Sequence, residues 1–199
     1  MENNFLVIVD VQPEFQSSCH KILHKIVDKI NETSQPIICF YVGRQLGQDR
    51  KNDVMAYYME NGVDQFKVDG IKFIEKDFGF FRSWMDSGLS EEIIIKGIKQ
   101  LKTNGINDSR NFTDEDWSQV LSLEDKKTFY LYDEPLFYPG FDERMFKLKE
   151  VDGFQLIGGA RHECLAEIDI YLRANGKTTS IDEKLCYGVD AKIMKNKKR

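Results

Sequence analysis

Several residue types are scarce in this chain, and each scarcity excludes something. The four cysteines, Cys19, Cys39, Cys164 and Cys186, lie far apart without zinc-type spacing. That rules against a disulfide scaffold or a zinc module and leaves reduced thiols as the expectation. There are three histidines, His20, His24 and His162, and four prolines. No apolar run approaches the length of about 20 residues that a membrane-spanning helix needs. Positive charge is not in excess: 28 Lys and Arg stand against 33 Asp and Glu, a net charge of −5, which argues against broad nucleic-acid binding. The basic tail KIMKNKKR is the local exception and reads as a solvated terminus. The opening MENNFLVIVD lacks a basic region and a cleavage site, so the expectation is a cytoplasmic protein.

The apolar content of 41% over 199 residues is enough for the core of one sizeable domain, residues 1–199. FLVIVD (5–10) and PIICFYVG (36–43) read as buried strands. Between them SSCHKILHKIVDKINE is amphipathic, with Ile22, Leu23, Ile26, Val27 and Ile30 on one face and Ser17 or Ser18 as N-cap. Strand, helix and strand at this spacing make a βαβ unit. TFYLYD (128–133) reads as a third strand, DERMFKLKEVD as a short helix and FQLIGG (154–159) as a fourth strand. CLAEIDIYLRANG then reads as a helix stopped by Asn175-Gly176, and KTTSIDEKLCYG as a last strand and turn. The expected fold is a three-layer α/β domain, its mostly parallel sheet covered by helices on both faces. The stretch 45–127 is too long for a plain loop and reads as a helical insertion or lid. Within it SEEIIIKGIKQLKTNG and TDEDWSQVLSLED are predicted helices. The cluster Phe78, Phe80, Phe81, Trp84 and Met85 reads as packed core, with a lid or a subunit contact as the alternative.

Ligands of such sheets collect at the carboxyl ends of the strands. Three features converge there: Asp10 after the first strand, Asp133-Glu134 after the expected third, and GGARHEC (158–164) after the fourth. A glycine-rich turn that delivers Cys164 to a helix start suggests a nucleophile. Unpaired N–H groups and the helix dipole stabilise a thiolate there and can hold an oxyanion. A small residue packing a helix onto a sheet is the plain alternative.

FLVIVDVQPEF, with Asp10, Gln12 and Phe15 in a D-x-Q-x-x-F pattern, resembles the opening strand of the isochorismatase-like cysteine hydrolases, which include the nicotinamidases. GGARHECLAEIDIYLRANG resembles their nucleophile segment at Gly158, Ala160, Cys164 and Gly176. The resemblance implies a triad of an aspartate after the first strand, a lysine after the third and the cysteine after the fourth. It makes Asp10 the base and Cys164 the nucleophile of a hydrolase acting on a small-molecule amide or related C–N bond. Gln12, Phe15, Glu134, Phe141, Ala160 and Arg161 become candidate substrate-binding residues.

The family's third-strand pattern, laid on LYDEPLFYPGF with Gly140-Phe141 as its small-phenylalanine pair, sets Glu134 or Pro135 where the lysine belongs. Three readings stay open. Lys76, in IEKDFGFF, reaches the site and restores the cation, against the plainer alternative of a surface lysine. Glu134 forms an acidic pair with Asp10. Or hydrolysis is lost, and the chain binds a metabolite or protein. The nicotinamidase branch holds a divalent metal through an aspartate and two histidines after the second strand. No histidine lies there, so no metal and no cofactor are expected. His20 and His24 have i, i+4 spacing on the first helix but no evident third ligand. A small-molecule substrate, no nucleic acid, no membrane and a homo-oligomer complete the expectation. KVDG (67–70) and the letters DFG (77–79) match short enzyme motifs without their supporting context; KVDG reads as a turn at Asp69-Gly70.

Overall fold

Asn4–Val9 forms strand β1, and every residue from Leu6 to Val9 is buried. A strand buried on both faces must be apolar at every position, which is why NFLVIV shows no alternation. The computed structural model describes residues 4–43, 50–76, 81–106, 109–128, 151 and 153–188. Four more strands join β1 in one all-parallel sheet of order β3-β2-β1-β4-β5. They are β2 (Ile37–Val42), β3 (Lys72–Lys76), β4 (Gly153–Gly158) and β5 (Thr178–Cys186). β1 is central, with Val7 paired to Ile38 of β2 on one edge and to Leu156 of β4 on the other.

Alternate strand residues serve two cores, as a strand's two-residue period requires. Leu6 and Ile8 face a core completed by Cys19, Leu23, Ile26 and Ile30 of α1 (Gln16–Glu32). Val54 and Tyr58 of α2 (Lys51–Glu60) and Val68 of α3 (Gln65–Gly70) close the same layer. Val7 and Val9 face the opposite core. That layer includes Trp84 of α4 (Arg82–Asp86), Ile94 and Leu101 of α5 (Glu91–Asn104), and Ile168 and Leu172 of α8 (Cys164–Ala174). Two short helices, α6 (Asp114–Val120) and α7 (Leu123–Thr128), lie between α5 and β4 in sequence. The three-layer α/β fold is therefore present. No helix among the described residues is long and apolar enough to cross a membrane.

Helix α5 shows how local chemistry sets an element's limits. The Ser90 hydroxyl accepts from Ile93 N at the start, and Gly105 takes the left-handed conformation (φ 65°) at the end. Gly97 lets Trp84 lie flat against the helix, since a Cβ there would meet the indole at 2.0 Å. Phe81 and Trp84 are core residues, as expected, and Met85 packs against them; Phe78 and Phe80 lie outside the described residues.

Four local expectations change. The expected third strand (128–133) falls almost wholly outside the described residues, Thr128 ending α7, and so do the helix at 142–152, Glu134 and Phe141. The third strand of the sheet is Lys72–Lys76, inside the stretch read as an insertion. That stretch, 45–127, is largely helical where described, but it also supplies β3 and helices that complete both cores. Helix α1 begins at Gln16, so Ser17 and Ser18 sit inside its first turn and do not cap it. Asp69 and Gly70 end helix α3 and form no isolated turn, while TDEDWSQVLSLED divides into α6 and α7.

Candidate active site

The carboxyl ends of β1, β3 and β4 bring together Asp10, Lys76 and Cys164. Asp10 follows β1 with φ 52°, in the left-handed region that few non-glycine residues enter, although aspartate tolerates it better than most. Its backbone is pinned on both sides. Asp10 N donates to Phe40 O at 2.9 Å, and the Tyr187 hydroxyl donates to Asp10 O at 2.9 Å. Gly158 ends β4 with φ 99°, and a Cβ there would stand 2.2 Å from Val9 O. Glycine is thus required for the chain to pass β1 so closely and deliver Cys164 to the first position of α8.

Lys76 Nζ lies 3.0 Å from Asp10 Oδ2, and both side chains are at most 2% exposed. Lys76 is therefore no surface lysine. The contact is an ion pair with imperfect alignment: neither Asp10 oxygen receives a well-directed hydrogen bond among the described residues. Lys76 and Cys164 are nevertheless near enough to stabilise the carboxylate. Burial raises the Asp10 pKa, and the Lys76 charge opposes that rise without cancelling it. For Lys76, burial pulls the pKa down, but the charge of Asp10, with Cys164 behind it, outweighs burial and raises it. Lysine thus stays an ammonium beside the Asp10 carboxyl group.

The Cys164 thiol departs from the expectation of a depressed pKa at a helix start. Cys164 is 4% exposed, and burial, reinforced by the negative charges of Asp10 and Glu167, pushes the thiol up to about 12 against the pull of Lys76 and Arg82. Desolvation exceeds the dipole because an anion in a dry site loses its hydration. The resting site holds a neutral thiol beside the Asp10 carboxyl group.

Arg82 and Glu167 also belong to this cluster, though neither stands out in the sequence. Arg82 Nη2 lies 3.5 Å from Cys164 Sγ and 3.4 Å from Glu167 Oε2, and Nη1 lies 3.1 Å from Glu163 Oε2. Glu167, 1% exposed, also accepts from Phe81 N at 3.2 Å and so fixes the entry to α4. An arginine next to an aromatic run and a glutamate three residues after the cysteine were the available signals, but only the tertiary fold joins them.

The candidate substrate-binding residues divide. Gln12 is 1% exposed, and its amide is engaged with one residue's backbone: Nε2 donates to Val42 O at 2.9 Å, and Val42 N donates to Oε1 at 2.8 Å. It braces the loop after β1 against the end of β2. Arg161 is tied to Glu183 of β5 at 2.7 Å. Ala160 is half-buried, and its carbonyl accepts from Glu163 N and Leu165 N. Phe15 is half-buried at the end of a 3-10 turn. His20 and His24 are exposed on α1, and no group of three His, Cys, Asp or Glu is placed to hold a metal ion among the described residues. Two cavities, of about 310 and 490 Å³, open at the amino ends of the strands, lined by residues such as Asn4 and Thr178 or Pro36 and Phe66. They lie at the other end of the sheet from Cys164.

Comparison with protein-family models, with curated proteins and with solved structures returns no match.

Proposed function

We propose that this chain is an isochorismatase-like cysteine hydrolase that cleaves a small-molecule amide or related C–N bond. The observation that carries the reading is the buried convergence of Asp10, Lys76 and Cys164 from three separate strand ends. A buried ion pair is weak evidence for stability, because desolvation offsets much of the attraction. Beside a cysteine at the carboxyl edge of a parallel sheet, the pair has a chemical use. The missing cation was the reason to consider a binding-only relative. Lys76, at the end of the third strand of the sheet and followed in sequence by Gly79-Phe80, removes that reason.

In this reading Cys164 Sγ attacks the amide carbon while its proton passes to Asp10. The C–N bond breaks, and the leaving nitrogen takes that proton. Water then attacks the thioester, giving the acid and restoring the thiol. Lys76 holds Asp10 in place and offsets negative charge as sulfur gives up its proton. The test is a panel of small carboxamides read by ammonia release and by intact mass. Release that requires Cys164, with an acyl adduct on Cys164, is expected. Release by Cys164→Ala, or neither release nor adduct across the panel, overturns the reading.

A further inference from the structure

Arg82 is the half-buried cation that the triad leaves unused. Its guanidinium is held by two carboxylates, Glu163 at Nη1 and Glu167 at Nη2, and Nη2 also touches the Cys164 sulfur. The third nitrogen differs: Arg82 Nε is buried and has no hydrogen-bond acceptor among the described residues. A buried guanidinium N–H left without an acceptor is costly. In the planar guanidinium, Nε–H lies on the same edge as Nη2, and Nη2 is the nitrogen that meets the sulfur. An acceptor that satisfies Nε therefore sits beside the nucleophile.

The charges around that position select the acceptor. Taken as ionised, Asp10, Glu163 and Glu167 set three negative charges against the two positive ones of Lys76 and Arg82, so with a neutral thiol the cluster is net negative by one. A second carboxylate or a phosphate entering here would meet that excess in a site that water screens poorly. A neutral carbonyl oxygen gains the hydrogen bond without the repulsion. The geometry points to Arg82 as the specificity-determining residue of the site, its Nε donating to the carbonyl oxygen of an uncharged carboxamide and thereby favouring neutral over anionic substrates. This rests on the hydrolase reading and assigns to it a residue outside the triad.

Iodoacetamide and iodoacetate test it on the intact chain, because they share one reaction and differ in charge. In both, a bond forms between Sγ and the methylene carbon, the C–I bond breaks, iodide leaves and the thiol proton passes to Asp10. Rates at Cys164 are measured by intact mass, with Cys164→Ser as the background and glutathione as the reference. The wild type is expected to favour iodoacetamide by about tenfold more than glutathione does, the worth of one hydrogen bond to a charged group. Arg82→Lys keeps the charge and loses Nε. It is expected to slow iodoacetamide roughly tenfold and leave iodoacetate nearly unchanged. Glu167→Gln removes one negative charge and is expected to raise iodoacetate relative to iodoacetamide. A preference equal to that of glutathione, or an equal change of both rates in Arg82→Lys, overturns the assignment while leaving the triad standing. A Cys164 that reacts with neither reagent until the chain is denatured overturns the hydrolase reading, and this assignment with it.

Discussion

Replacing Asp10 by asparagine separates a catalytic role from a structural one by the sign of its effect. At pH 7.5 a thiol with a pKa of about 12 is ionised to roughly three parts in 100,000. An ordinary thiol near ~8.5 would be about one-tenth ionised. A standing thiolate then contributes little at neutral pH, and in the proposed hydrolase reading the rate comes from proton transfer to Asp10 during attack. Asp10→Asn removes that acceptor, and general-base loss costs about 10²–10⁴ in rate. The same change removes a negative charge that holds the thiol pKa up. The alkaline inflection should then move to lower pH, with about tenfold more thiolate at pH 7.5 for every pH unit it moves. The two effects oppose each other, and the larger predicts a slower variant. The assay is the alkylation rate of Cys164 by iodoacetamide from pH 6 to 11, followed by intact mass. A rate at pH 7.5 that falls at least tenfold, with an inflection brought down from about 12 into that range, is expected. An Asp10→Asn variant that alkylates faster than wild type at neutral pH would refute the base assignment, because only the charge effect would then be acting.

Three further outcomes follow from the packing. Lys76→Met leaves Asp10 buried without its cation and should lower stability by about 3–5 kcal/mol; Asp10→Asn in the same chain should recover much of the loss, as denaturant titration of both variants will show. Gln12→Ala strips two hydrogen bonds from the buried Val42 backbone, which should cost about 1–3 kcal/mol for each group left unsatisfied and lower the urea midpoint with little change in slope. Gly97→Ala drives a methyl into the Trp84 indole and should cost about 1–3 kcal/mol, visible as a lower thermal midpoint and a changed tryptophan emission.

The strands that could be read from sequence are the ones buried on both faces. FLVIV and PIICFYVG are apolar throughout, and FQLIGG nearly so, because the sheet interior leaves them little solvent-facing side. β3 could not be read that way. Among the described residues it is an edge strand, KFIEK, in which only Ile74 and Lys76 are buried. The aromatic TFYLYD offered a stronger strand signal and drew the third-strand reading away from β3. The burial of Lys76 is likewise not a local property. It depends on Asp10, 66 positions earlier, whose charge makes a dry ammonium tolerable. Cys164 was legible as a helix-start residue, yet its thiol is governed by desolvation, which no spacing reveals. Arg82 escaped notice because its partners, Glu163 and Glu167, stand 81 and 85 positions later in the sequence.

The central place of β1 has a consequence for synthesis on the ribosome. One edge of this wholly apolar strand can be covered as soon as β2 emerges, but the other waits for β4, which begins at Gly153. At about 5–20 residues per second that interval lasts several seconds or more. Until then a nascent chain carries an open hydrophobic edge, the kind of surface that invites pairing with a neighbour. Cys164 arrives just behind the strand that closes this edge, so a chain halted before Gly153 can hold Asp10 and Lys76 but has no Cys164 to set beside them.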